Sequence, residues 1–222
     1  DVYKRQDNTK INLDNNNINN LLSLSESNYN QAHLFIKKIA GNIDFSNDHD
    51  EQVIQKLFFY ALEYKNKTLL LKTLENGANP NIPNKSGQTP LHFAIKYGRI
   101  KTVQDLLYAN ADPNIADKYG QTALNYAVQK GNLEIVQALL NANADPNIKN
   151  QNSDTALHSA AKNGHIEIVQ ALLQSGANIN TTNKYGDTAL HWAMRENNEL
   201  VEAIFNYGAN PNNINDDGNG WT

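Results

Sequence analysis

One interval constrains this chain more than any other property. Four stretches of matching design, GQTPLHFA from Gly87, GQTALNYA from Gly120, SDTALHSA from Ser153 and GDTALHWA from Gly186, begin 33 residues apart. In each, a threonine (Thr89, Thr122, Thr155, Thr188) is followed by Pro or Ala, then Leu, then His or Asn. Further on comes a second signature: ANADPN at 109–114 and again at 142–147, SGANIN at 175–180, and YGANPN at 207–212. A fixed period of this size marks stacked units, none of which can bury its apolar face alone. Between the two signatures, residues such as Ile135, Val136, Leu139 and Leu140 recur at helical spacing. Each unit therefore reads as helix, short loop, helix and extended turn.

The residue types suit those places. A threonine at a helix start can cap the exposed amides, and Pro90 in the first turn forfeits no needed hydrogen bond. After each second helix the chain must turn out through a left-handed residue, and Gly77, Asn110, Asn143, Gly176 and Gly208 stand there. Two departures predict local strain or re-routing. Ser153 occupies the turn position held elsewhere by Gly87, Gly120 and Gly186, and the fifth unit is one residue shorter near Asn197 and Asn198. Leu107, Leu140 and Leu173 are expected to fill a continuous core.

Over roughly residues 51–222 these patterns resemble the ankyrin repeat family, whose units run 33 residues from a Thr-Pro-Leu-His-x-Ala start. The resemblance implies an all-α fold, an ankyrin-repeat solenoid of stacked helix-loop-helix units with extended turns. Its repeats would be 51–83, 84–116, 117–149, 150–182 and 183–214, with the start of a further turn at 215–222. The first is divergent, with Lys56-Leu57-Phe58-Phe59-Tyr60-Ala61 in place of the usual start. The resemblance also implies that His92, His158 and His191 are structural, linking adjacent repeats together with the threonines. Asn125 would keep only part of that network. Ahead of the repeats, residues 28–50 contain Leu34, Phe35 and Ile39 at amphipathic spacing and read as an N-terminal capping helix region. Residues 1–27, asparagine-rich at 12–20, read as a linker or poorly ordered remnant. Ile204 and Phe205 make the last helix less polar than a terminal cap, and NDDGN at 215–219 begins what looks like another turn. With Asp1 in place of an initiator methionine, the chain reads as a piece of a longer protein with further repeats.

Composition narrows the chemistry. The 222 residues carry a net charge of −4, are 40% hydrophobic and include no cysteine, so disulfides and thiolate chemistry are excluded. No apolar run approaches the roughly 18 to 20 residues of a membrane helix, and no membrane insertion is expected. Of six histidines, three hold the family's structural position and His165 sits in an inter-helix loop, which leaves no metal site. No HExxH, phosphate-cradling or GxSxG motif occurs, and Glu134 and Glu167 recur at repeat spacing as a solvated outer face rather than an acid/base pair. No catalytic activity and no cofactor are expected. The glycosylation-type triplets at Asn66, Asn84 and Asn180 are chance matches in an asparagine-rich chain.

In ankyrin proteins partners usually dock on the concave side, made by turn tips and first helices. Carried onto this sequence, that surface offers Lys85, Lys118, Tyr119, Lys184 and Tyr185 at the tips, and Phe93, Lys96, Tyr97, Tyr126, Lys130, Lys162, Trp192 and Arg195 along the helices. Seven basic residues and six aromatics face only three acids, Asp154, Asp187 and Glu196, in a chain of negative total charge. Aromatics and arginine supply binding energy while charge selects partners, so the reading is a protein-interaction module for an acidic or phosphorylated segment. Tyr126 and Trp192 are the leading anchors, then Phe93. The three acids argue against single-stranded nucleic acid. A cytoplasmic monomer is expected. Two alternatives stand beside it: the targeting domain of a larger enzyme or toxin, and a secreted effector of an intracellular microbe acting in the host cytosol.

Overall fold

The computed structural model describes residues 51–196 and 198–212. The capping helix expected at 28–50, the segment 1–27, and the further turn at 215–222 lie outside the described residues. Ten α-helices and no strand occur among the described residues, and the chain divides into two compact units between Asn79 and Pro80.

The first unit contains α1 (Glu51–Glu63) and α2 (Lys67–Glu75) packed on one another. Lys56 stands where later repeats have a capping threonine, and a lysine cannot accept a bond from free amides. The helix accordingly runs straight through it. Val53, Leu57, Phe58 and Ala61 of α1 bury against Leu69, Leu70 and Thr73 of α2. Asn66 caps α2, its side chain accepting from the Leu69 N–H at 3.0 Å. Gln55 then ties the outgoing chain back to α1: its Nε2 donates to the Asn79 carbonyl at 3.0 Å and its Oε1 accepts from the Asn79 N–H at 2.9 Å.

The second unit holds four helix pairs: α3 (Pro90–Lys96) with α4 (Ile100–Tyr108), α5 (Ala123–Gln129) with α6 (Leu133–Asn141), α7 (Ala156–Lys162) with α8 (Ile166–Gln174), and α9 (Ala189–Glu196) with α10 (Asn198–Asn206). First helices pack on first helices, α3 on α5 on α7 on α9, and second helices do the same from α4 to α10. Thr89, Thr122 and Thr155 are the N-caps of α3, α5 and α7. The residues after the second helices all adopt positive φ, from 60° at Asn110 to 94° at Gly77.

Polar bonds in register hold each repeat to the next. His92 Nδ1 accepts from the Thr89 N–H at 3.0 Å and lies 2.8 Å from the threonine hydroxyl. That assigns the ring hydrogen to Nε2, which donates to the Gln121 carbonyl of the following turn at 3.0 Å. His158 repeats the arrangement, with Nε2 donating to the Asp187 carbonyl at 3.0 Å. Asn125 Oδ1 takes both threonine bonds, at 2.9 and 2.8 Å, but carries no bond onward to the next turn among the described residues. Beyond each second helix an asparagine clamps two neighbouring backbone groups: Asn114 accepts from the Asp145 N–H at 2.7 Å and donates to the Asn143 carbonyl at 3.1 Å, and Asn147 does likewise with Asn178 and Gly176.

The core differs from the sequence expectation by one position. Leu106, Leu139 and Leu172 are fully buried, whereas Leu107, Leu140 and Leu173 are half-buried. At about 100° per residue, Leu139 projects between Ile135 and Val136, the centre of the buried stripe, while Leu140 turns to its edge. The shortened fifth repeat regains register, since Leu200 and Ile204, fully buried, stand where the fourth has Ile168 and Leu172. The missing residue falls between α9, which ends at Glu196, and α10, which starts at Asn198.

Strain is present at Ser153, whose φ is 59°. At the equivalent Gly87 an added Cβ would meet the Lys118 backbone nitrogen at 2.8 Å, and at Gly120 it would meet Asn150 Cα at 2.9 Å. Ser153 therefore adopts a glycine conformation in a position where the next turn packs closely. Ser153→Gly is predicted to raise stability by about 1 kcal/mol, read as a higher urea midpoint with unchanged slope.

Burial is the main cause that holds His92 and His158 below the ordinary imidazole value, opposed by the bonds to the Gln121 and Asp187 carbonyls and by the nearby Asp117 and Asp154. The unfolded chain then binds protons that the folded chain refuses, so stability is complete above about pH 6.5 and falls below it by up to about 1.4 kcal/mol per pH unit per histidine. The thermal midpoint is predicted to drop between pH 7.5 and 5.5, and to drop less in His92→Asn/His158→Asn, which copies the asparagine of the third repeat.

Candidate functional site

The turn tips form one edge of the second unit. Within each turn a side-chain oxygen bonds two backbone amides: Asn84 Oδ1 accepts from Ser86 and Gln88, and Asp117 Oδ1 from Tyr119 and Gln121, at 2.8 and 3.0 Å in both cases. Asn150 and Asn183 do the same. Backbone bonds then join turn to turn: the Lys118 N–H donates to the Ser86 carbonyl, Gln151 to Tyr119 and Lys184 to Asn152, at 3.1, 3.1 and 3.0 Å. The tips are thus held on both sides, and their outward side chains stand at fixed intervals.

On this edge Lys118 Nζ lies 4.9 Å over the Tyr119 ring, and Lys184 Nζ lies 4.9 Å over Tyr185. Both tyrosines are more than half exposed, at 53% and 55%. Along the first helices the candidates gather in two groups. Phe93 and Tyr97 are 6.3 Å apart by ring centroid, with Lys96 and Arg99 at 5.9 and 4.8 Å from the Tyr97 ring. Trp192, half-buried, has Lys162 of the preceding repeat at 4.7 Å and Arg195 at 5.1 Å from its ring. Lys85 and Lys130 are exposed and contact no ring among the described residues.

Tyr126, one of the expected contact residues, is also tied into the fold. Its hydroxyl accepts from Gln88 Nε2 at 2.7 Å and donates to Asp117 Oδ2 at 2.9 Å, and its ring meets His92 edge-on at 5.0 Å. It bridges the second repeat to the third. Burial, with help from Asp117, raises the phenol above its usual value. Sequence reasoning passed over Asp117, and the available signal was an aspartate where the other turns have Asn84, Asn150 and Asn183. The surplus carboxylate oxygen is what captures Tyr126. Arg99 was also missed, because it lies in the inter-helix loop rather than in the family's contact rows.

Two of the three acids weighed against the positive surface are engaged elsewhere. Asp187 is 7% exposed, and Asp154 Oδ1 accepts from Asn183 Nδ2 at 2.8 Å. Of the Glu196 side chain nothing is described. Glu134 and Glu167 are exposed on α6 and α8. No group of three or more His, Asp or Glu able to hold a metal ion occurs among the described residues, and no helix there is long and apolar enough to cross a membrane.

Residues 58–150 and 142–215 match the family model described as ankyrin repeats (3 copies), so the chain belongs to the ankyrin repeat family. A stretch of 44 residues is 46% identical to a curated ankyrin repeat protein of Fowlpox virus (strain NVSL). The match spans 20% of this chain and 31% of that relative's length. Ankyrin repeats are in general protein-interaction modules, and the family is typically non-enzymatic.

Tyr126→Phe is predicted to cost about 1 to 2 kcal/mol in chemical denaturation, because it removes the hydroxyl that donates to Oδ2 of the buried Asp117 and accepts from Gln88. Tyr119→Phe, whose ring is exposed, should change stability by less than about 0.5 kcal/mol.

Proposed function

We propose that the surface made by the turn tips and first helices of the second unit docks a partner protein through an acidic or phosphorylated segment. The observation that carries this reading is the state of the seven cations assigned to the surface. All are exposed, and none pairs with a carboxylate among the described residues. Five of them, Lys96, Lys118, Lys162, Lys184 and Arg195, lie instead over aromatic rings. Positive charge displayed on aromatic side chains offers an anionic chain both steering and contact area. Tyr119, Tyr185 and Trp192 serve as the contact residues, with Phe93, Tyr97, Lys85 and Lys130 flanking them. Tyr126 serves by holding the third repeat in place.

The protein works as a monomer in the cytosol, and its likeness to a viral ankyrin repeat protein is compatible with the host cytosol if the chain belongs to a secreted effector. Catalysis, if the complete protein performs any, belongs to residues other than these.

Affinity capture from cell lysate tests the reading with three proteins: wild type, Lys118→Glu/Lys184→Glu on the tips, and Glu134→Lys/Glu167→Lys on the opposite helices. A partner retained by wild type and the helix variant, lost by the tip variant and weakened by salt, is the expected result. Equal retention by all three would remove the assignment, and capture of labelled oligonucleotides in place of protein would redirect it to single-stranded nucleic acid.

A further inference from the structure

One buried donor of the fifth repeat stands without an acceptor. His191 is 4% exposed; its Nδ1 accepts from the Thr188 N–H at 3.1 Å and lies 2.9 Å from the threonine hydroxyl, as in the second and fourth repeats. That assigns the ring hydrogen to Nε2. His92 and His158 donate this hydrogen at 3.0 Å to the Gln121 and Asp187 carbonyls, each 29 residues further on and each directly after the glycine of the next tip. His191 Nε2 is buried and has no hydrogen-bond partner among the described residues. A buried donor left unfilled is costly, and native chains satisfy such groups.

The chain leaves the fifth repeat on the course its predecessors follow. The Asn210 N–H donates to Asn180 Oδ1 at 3.0 Å across 30 residues, where the equivalent bonds to Asn114 and Asn147 span 31. The difference is the residue missing between α9 and α10. The Asn212 N–H then donates to Asn210 Oδ1 at 2.9 Å, so the outgoing turn is held as far as residue 212. In the preceding repeat the tip-closing residue comes three positions after the matching asparagine, Asn180 to Asn183, and the left-handed residue of the tip three positions later, at Gly186. Asn215 and Gly218 stand at those places after Asn212. Asn219 follows Gly218 and lies 28 residues beyond His191, the spacing of the other two histidines less the missing residue.

We propose that residues 215–219 close one more tip against α9, with the Asn219 carbonyl accepting from His191 Nε2 and Asn215 Oδ1 accepting from the Asp217 and Asn219 amides. The occupant of the open donor is this chain's own segment, and the inference stands independently of the docking reading. In the same register the Asp216 N–H donates to the Tyr185 carbonyl, as Lys184 does to Asn152. Asp216 and Asp217 take the outward places that Lys184 and Tyr185 hold on the tip before, so the positive edge ends in two acids. Like charge there limits how far along the tips an anionic segment can lie.

Hydrogen–deuterium exchange of the full chain, read by mass spectrometry, tests the proposal. The amides of residues 213–222 should exchange about tenfold more slowly in the wild type than in Gly218→Val, whose branched side chain opposes the left-handed backbone of a tip. His191→Asn keeps the threonine bonds, as Asn125 does, but lacks the onward donor. It should speed exchange at 213–222 and leave α3 to α8 unchanged. Asp216→Lys/Asp217→Lys alters outward side chains alone and should retain the wild-type protection. Exchange of 213–222 at the rate of an unstructured chain in the wild type overturns the proposal. So does protection that survives Gly218→Val or His191→Asn, or protection lost in the aspartate variant.

Discussion

Every repeat in the second unit depends on hydrogen bonds that its own residues cannot complete. A histidine ring buried at the base of one first helix has its Nδ1 filled by the capping threonine, so its one remaining hydrogen must go to the carbonyl of the next turn. Left unmade in a site so far from water, that bond would cost more than most single contacts contribute. The asparagine clamps at the opposite edge impose the same dependence, since each joins the amide and carbonyl groups of two successive extended turns. Neighbouring repeats are therefore obligatory, and their spacing is set by ring and amide dimensions.

That rigidity is what makes a surface out of the turn tips. Loops with free backbone groups would move, whereas these are closed internally by Asn84, Asp117, Asn150 and Asn183 and tied to one another through backbone amides. The side chains between the fixed points are free to vary without disturbing the fold. Lysine and tyrosine occupy them in the third and fifth repeats, and glutamine and asparagine in the fourth. The pattern of chemistry along the edge is thus independent of the pattern that holds the edge together, except at Tyr126, where a single aspartate draws a surface aromatic into the supporting network.

The helical frame was readable because its signals are local. A threonine before an apolar helix, a glycine or asparagine after one, and a period of 33 residues each act within a few bonds or repeat in register. The left-handed residues at Gly77, Asn110, Asn143, Gly176 and Gly208 follow from that chemistry, as does the strain at Ser153. Leucine pairs were less legible. In Leu139-Leu140 both residues are apolar, and only the angular position of the stripe set by Ile135 and Val136 decides which one faces the core.

The sequence by itself determined the repeat, the caps, the family and the rows in which candidate contact residues would stand, because each of those depends on residue type at fixed spacing. The tertiary structure decided which members of the rows are available. Asp187 is buried and Tyr126 is held by Asp117 of its own repeat and by Gln88 of the preceding one, while Lys162 reaches a ring in the next repeat. The contacts between repeats join residues roughly thirty to forty positions apart whose identities carry no mutual signal along the chain. They depend on where side chains end in space, and only the stacking of one repeat on another settles that.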